Sequence, residues 1–379
     1  MAMVLNEDQE MLKDMAKGFL TEKAPVSQLR SLRDSGGTDG FDRGTWDAMA
    51  EMGWAGVVVP EEHDGVAMGY QAAGLIAEEM GRTLTASPYV STAIMGATAL
   101  NKYGSADQKN EWLPKLAAGG ALMAVAVDEA RKHAPSSVAT KAERAGNGFK
   151  LSGEKSFVAD GSVADALIVS ARTEGAEGDK DGITLFLVPR DSAGLSEEAR
   201  SMVDSRNAAT IKLDGVELTA DAVLGEVDGG YQPLEVILNA GRAGLAAEMS
   251  GSAQECLTRT VDYLKERKQF GRTIGEFQAL QHRASHLYSE IEVGKSVVMK
   301  ALQMMDQAPE MAGLMVSAAK AKLGQVAQLA AQESIQMHGG IGMTDEFDIG
   351  FFIKRVRVAE ALYGDANFHT ERYARLRGF

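Results

Sequence analysis

The chain has 379 residues, 45% hydrophobic and 24% charged, which allows two or three domains and excludes wholesale disorder. Its formal charge of −14 excludes general nucleic-acid binding, although a local arginine pocket still suits an anionic ligand. The single cysteine, Cys256, excludes an intrachain disulfide framework, and no run of 18 or more apolar residues is present to span a membrane.

Residues 1–120 read as a helical domain. The first seventeen residues are amphipathic, with acids early and no basic-then-apolar leader, so the cytoplasm is the expected location. Trp46, Met49, Met52 and Trp54 recur at helical spacing, and the runs from Gly69 and Thr92 continue it. Breaks fall at Ser35-Gly36-Gly37, Pro60 and Pro88.

Residues 121–228 change character. Short β-branched or alternating runs begin at Ala121, Gly148, Ala164, Gly182 and Ala209. Turn signals separate them at Gly146-Asn147-Gly148, Asp160-Gly161, Asp181-Gly182 and Asp214-Gly215. A compact β barrel or sandwich is expected, with the acidic run 173–181 as a solvated hairpin loop.

Residues 229–379 return to helical periodicity in long segments, which predicts an antiparallel bundle of three long helices and a terminal one. Ala253, Cys256, Leu257 and Thr260 share a helical pattern, so Cys256 reads as a buried structural thiol. The methionines of this region read as core filler. The helix–strand–helix order excludes a doubly wound nucleotide fold, and no GxGxxG follows a strand.

Two segments are specific. The first is Arg267-Lys268-Gln269-Phe270-Gly271, running on to Phe277-Gln278 and Gln281-His282. It places an arginine near a helix end at Gly271, where a guanidinium can fork onto a pyrophosphate. The second, Gln336-Met337-His338-Gly339-Gly340-Ile341-Gly342, sets glycines after a helix, which suits a cap or a close backbone approach to a ligand. Taken alone, each equally describes a helix-capping loop. His282 and His286 have i, i+4 spacing, but no third ligand supports zinc, and no metal is expected.

Together these segments, their order and the α–β–α layout resemble the FAD-dependent acyl-CoA dehydrogenase family over essentially the whole chain. Gly153-Glu154-Lys155-Ser156-Phe157 and Ala164-Asp165 resemble strands of its middle domain. The resemblance implies an N-terminal helical domain, a middle β domain and a C-terminal four-helix bundle. It implies dimers or tetramers sharing FAD across an interface, an acyl-CoA substrate, and an electron-transfer flavoprotein as acceptor. Carried over by residue, Arg267, Phe270 and Gln278 match contacts to the pyrophosphate and adenosine side of FAD. Gln336, Gly339 and Gly340 match the loop packed on the pyrophosphate. Phe157 matches an aromatic beside the flavin ring, against its plain reading as a core aromatic.

The family's chemistry needs a carboxylate to take the proton alpha to the thioester while hydride leaves the beta carbon. One usual base position falls on Gly364, with Asp365 one residue later; the other falls on Gly241, just before the retained Arg242. Asp365 is therefore the nearest candidate base, with Arg242 beside the second position, but Asp365 reads equally as the N-cap of the last helix. Glu248 is a more distant candidate. In the middle domain, residues 128–137 replace the usual T-E-x-x-x-G-S-D stretch, and Ala159 stands where a threonine often meets the flavin. A chain with only one intact half-site resembles a subunit of the hetero-oligomeric acyl-CoA dehydrogenases of steroid side-chain catabolism. Two alternatives are a flavin monooxygenase or oxidase of the same fold and a flavin-binding structural partner.

Overall fold

The computed structural model describes residues 4–379. Helix α1 (Glu7–Lys23) opens on a reciprocal cap: Asn6 Oδ1 accepts from Gln9 N–H at 2.8 Å, and Asn6 N–H donates to Gln9 Oε1 at 3.1 Å. Glu7, Asp8 and Glu10 in its first turn complement the helix dipole. The remaining α-helices before the strands are α2 (Val26–Ser35), α3 (Arg43–Glu51), α4 (Gly69–Thr83), α5 (Ala97–Tyr103) and α6 (Ala106–Ala117), with a π-helical stretch over Tyr89–Gly96 leading into α5. In α3 the apolar spacing buries Trp46 and Met49, while Met52 stays exposed just beyond the helix end.

The chain divides into two compact units, and neither is continuous in sequence. One comprises residues 32–73 and 86–241; the other comprises the residues up to 31, residues 74–85 and residues 242–379.

The first of these units holds an eight-stranded sheet in the order β6-β7-β3-β2-β4-β5-β8, with β1 paired to β4. Its strands are β1 (Met123–Ala126), β2 (Lys141–Ala145), β3 (Gly148–Ala159), β4 (Ala166–Arg172), β5 (Ile183–Pro189), β6 (Leu195–Ser201), β7 (Asn207–Thr219) and β8 (Val223–Leu224). Their inward residues, among them Leu151, Val169, Ile211 and Val216, form one core, in which Phe149 meets Phe186 edge to face at 5.2 Å. Strands β2 and β6 carry too few apolar residues to announce themselves: β2 buries only Ala142, and β6 ends the sheet as a mostly exposed, charged edge. The expected acidic loop does join β4 to β5. Arg172 pins it, donating to the carbonyls of Ser136, Val138, Glu174, Asp179 and Asp181 at 2.9–3.2 Å.

The second unit is helical, built on α7 (Tyr231–Glu266), α8 (Gln278–Gln307), α9 (Pro309–His338), α10 (Ile349–Ala361) and α11 (Ala366–Leu376). Helices α4 and α7 touch backbone to backbone. A Cβ on Gly81 would lie 1.9 Å from Glu248 O, and one on Gly251 would lie 1.7 Å from Glu78 O, so only glycine fits at either position. Ser252 Oγ donates to Gly81 O at 2.9 Å across the same crossing. Cys256 is buried, and burial pushes its thiol up to about 12, which suits the structural reading. Among the described residues, no helix is long and apolar enough to cross a membrane.

Candidate cofactor and active site

Helix α7 ends at Glu266 rather than at Gly271, because the next residues fold into a hairpin of β9 (Lys268–Gln269) and β10 (Arg272–Thr273). Its two-residue turn, Phe270-Gly271, has φ of +52° and +78°, the signature of a primed turn. Glycine adopts that backbone freely, whereas Phe270 does so at a cost. Its ring is nonetheless 91% exposed, in contact with Phe277 at 6.1 Å. Arg267 N–H and C=O are both used, the carbonyl accepting from Ile274 N–H, but its exposed guanidinium has no partner among the described residues. Gln278, exposed, is the first residue of α8.

At the other motif, α9 ends on Gly339 with φ +65°. A Cβ on Gly339 or Gly340 would meet nothing within 4 Å, so this backbone lies open to an approaching group. Gln336 is exposed in the last helical turn. His338 turns inward instead. Its ring lies between Tyr263 at 4.5 Å and Phe347 at 4.7 Å, and Nδ1 pairs with Ser334 O at 2.7 Å. Burial pushes its pKa down. Tyr263 lies one turn before Arg267, so this stacking draws the ends of α7 and α9, and with them both motifs, together. A cavity of about 160 Å³ lies beside the loop, lined by Met343, Thr344, Phe347, Phe351 and Lys354 among others.

In the sheet unit Phe157 sits at a bulge of β3, where the register with β7 shifts between Lys155 and Val158. Its φ is +58° and its ring is 61% exposed, so it is not a core aromatic. Lys155, two residues earlier, is fully buried and bonded to Glu129 at 2.6 Å, to Ser170 Oγ and to Val127 O. Glu129 also accepts from the Ala139 and Thr140 N–H groups, and Asp128 pairs with His133 at 2.9 Å. The atypical 128–137 segment is thus bound to its own unit.

The two glycines at the base positions are each closed in. At Gly241 a Cβ would lie 2.4 Å from Met95 Sδ. At Gly364, φ is +107° and a Cβ would lie 2.4 Å from the Phe368 ring and 2.9 Å from His369 Nε2. Asp365 caps α11, its Oδ1 accepting from Phe368 N–H at 2.8 Å, with its side chain exposed. Arg242 is wholly buried; its Nε donates to Tyr363 O at 3.0 Å and its guanidinium lies 5.5 Å from the Phe368 ring centroid. Buried Lys320 closes the same turn, donating to Glu360 O at 2.8 Å and Gly364 O at 3.0 Å. Burial pushes Lys320 down to about 7. Met95, Lys320, Phe368 and His369 escaped the sequence reading, because their relevance comes from folding against the two glycines; only the spacing of Phe368 and His369 after a cap hinted at a helix face. Glu248 is forked onto Arg355. His282 and His286 are exposed, and no cluster of three or more metal-ligating side chains occurs among the described residues.

Three family models match in chain order: acyl-CoA dehydrogenase N-terminal domain over residues 6–120, middle domain over 127–216 and C-terminal domain over 228–376. The probable acyl-CoA dehydrogenase YngJ of Bacillus subtilis is 31% identical over 364 residues, covering 94% of each chain. The chain belongs to the acyl-CoA dehydrogenase family. Among solved structures, acyl-CoA dehydrogenase from Geobacillus kaustophilus is similar at TM-score 0.91 and 26% identity, with 100% of both chains covered. A chain of the ChsE4-ChsE5 complex from Mycobacterium tuberculosis shares the fold at TM-score 0.90 and 23% identity, covering 100% of this chain and 99% of that one. Acyl-CoA dehydrogenases are FAD-dependent oxidoreductases, and the side chains present fit that cofactor. A guanidinium without a partner among the described residues, two exposed glutamines and an open glycine backbone are groups that could hold an anionic cofactor, and Phe270 has an exposed ring.

Proposed function

We propose that this chain is the FAD-holding subunit of a hetero-oligomeric acyl-CoA dehydrogenase, and that a sister chain supplies the general base for α,β-desaturation of an acyl-CoA thioester. The observation that carries the proposal is that both base positions are glycines whose side-chain direction is filled, Gly364 by the Phe368 and His369 rings at a positive φ and Gly241 by the Met95 thioether, while the Arg267 guanidinium is exposed with no partner among the described residues. Arg267, Phe270, Gln278, Gln336, Gly339 and Gly340 would hold the adenosine and pyrophosphate half of FAD, and Phe157 would serve as a flavin-side aromatic. When bound, FAD supplies the acceptor for the hydride that leaves the beta carbon. Arg242 anchors the Tyr363–Gly364 turn through a buried bond. The substrate is an acyl-CoA, and an electron-transfer flavoprotein is the proposed acceptor.

Co-expression with candidate sister chains, followed by anaerobic addition of acyl-CoA, tests the proposal. Flavin in the assembled complex should bleach, and flavin on the isolated chain should not. Full bleaching of the isolated chain would defeat it. A second reading keeps Asp365 as a base in a self-sufficient enzyme, favoured by its exposed carboxylate one residue beyond Gly364.

A further inference from the structure

We infer that Phe368 and His369 block the base position at Gly364, so that a carboxylate cannot be installed there by changing the glycine alone. This rests on the reading above that the chain lacks its own base. The direction in which a side chain would leave Gly364 is filled by both rings: Phe368 Cδ1 and Cε1 would lie 2.4 and 3.0 Å from the new Cβ, and His369 Nε2 would lie 2.9 Å from it.

The histidine ring is held in place. His369 is 0% exposed and its Nε2 pairs with Tyr363 O at 3.1 Å. Phe368 packs edge-on against His369 at 5.0 Å between centroids, and its own backbone N–H is tied to the Asp365 cap. Its face lies toward the buried Arg242 guanidinium. An aromatic face is electron-rich, so it favours a cation beside it. Gly364, Phe368 and His369 are therefore a matched set. The glycine is the residue that leaves room for the ring beside the buried cation.

A double-mutant cycle on the purified protein, together with any subunit that co-purifies, tests this through thermal unfolding. Gly364→Glu in the natural background should lower Tm by about 4 °C or more, through the clash and the positive φ. In a Phe368→Ala background the same change should cost less than about half that shift, because one of the two blocking rings is gone. Equal shifts in both backgrounds, or no shift in the natural one, would overturn the inference. Bleaching of the isolated natural chain by acyl-CoA would instead sink the subunit reading and leave this thermal coupling as it stands.

Discussion

Arg355 forks onto Glu248 inside the helical unit, Nε to Oε1 at 2.7 Å and Nη2 to Oε2 at 2.8 Å, with both side chains 4% exposed. A buried pair of this kind contributes little net stability, but removing one partner strands the other charge in a low dielectric. Glu248→Gln should therefore destabilise the protein by about 3–5 kcal/mol. Replacing both residues with apolar ones of similar volume should cost much less. Chemical denaturation of the two variants checks this.

Arg267 is exposed and unpaired, so Arg267→Ala should leave the fold and its melting behaviour unchanged while weakening FAD retention by about tenfold or more. Flavin content after dialysis at graded protein concentrations measures the effect. Unchanged FAD affinity would remove Arg267 from the site.

The cap and base roles of Asp365 separate on one pair of variants. Serine caps a helix nearly as well as aspartate, and alanine does not. If Asp365 only caps, Asp365→Ser should preserve both stability and turnover of the assembled enzyme, and Asp365→Ala should cost about 1 kcal/mol of stability. Loss of turnover in a stable Asp365→Ser protein would point to the base reading.

Burial, with Arg242, Lys320 and Arg372 nearby, pushes His369 well below the ordinary histidine range, so it stays neutral in the folded chain. The unfolded chain protonates this residue near its ordinary value of about 6.5. Below that pH the unfolded state binds the extra proton, so this part of the stability is present above about 6.5 and is lost as pH falls. His369→Gln should flatten the fall in Tm between about pH 6.5 and 5; an unchanged slope would show that other groups govern it.

The fold was legible in large part because its signals are local. Helical periodicity, turn dipeptides and the α–β–α order all survive without tertiary context. The strands that escaped notice, β2 and β6, are those whose residues face solvent and so lack alternation. The end of α7 was misplaced at Gly271 because a primed turn normally calls for glycine or asparagine at both centre positions, and here Phe270 holds the first. The FAD-side residues were legible as motifs. The enclosure of Gly241 by Met95 and of Gly364 by Phe368 and His369 was not, since glycine in a sequence shows that a side chain is missing and not what occupies its place.

The division of the chain has a bearing on how it is made. The sheet unit uses nothing beyond residue 241, so its pieces are all present while the C-terminal part is still being synthesised. The helical unit needs the first helix, the short stretch 74–85 and everything from residue 242 onward. Helix α1, with its apolar face of Leu12, Ala16 and Leu20, must therefore wait for most of its unit to be made. At a ribosomal rate of about 5–20 residues per second, that wait lasts on the order of tens of seconds. During that interval the nascent chain offers a chaperone an apolar helix that the finished protein hides.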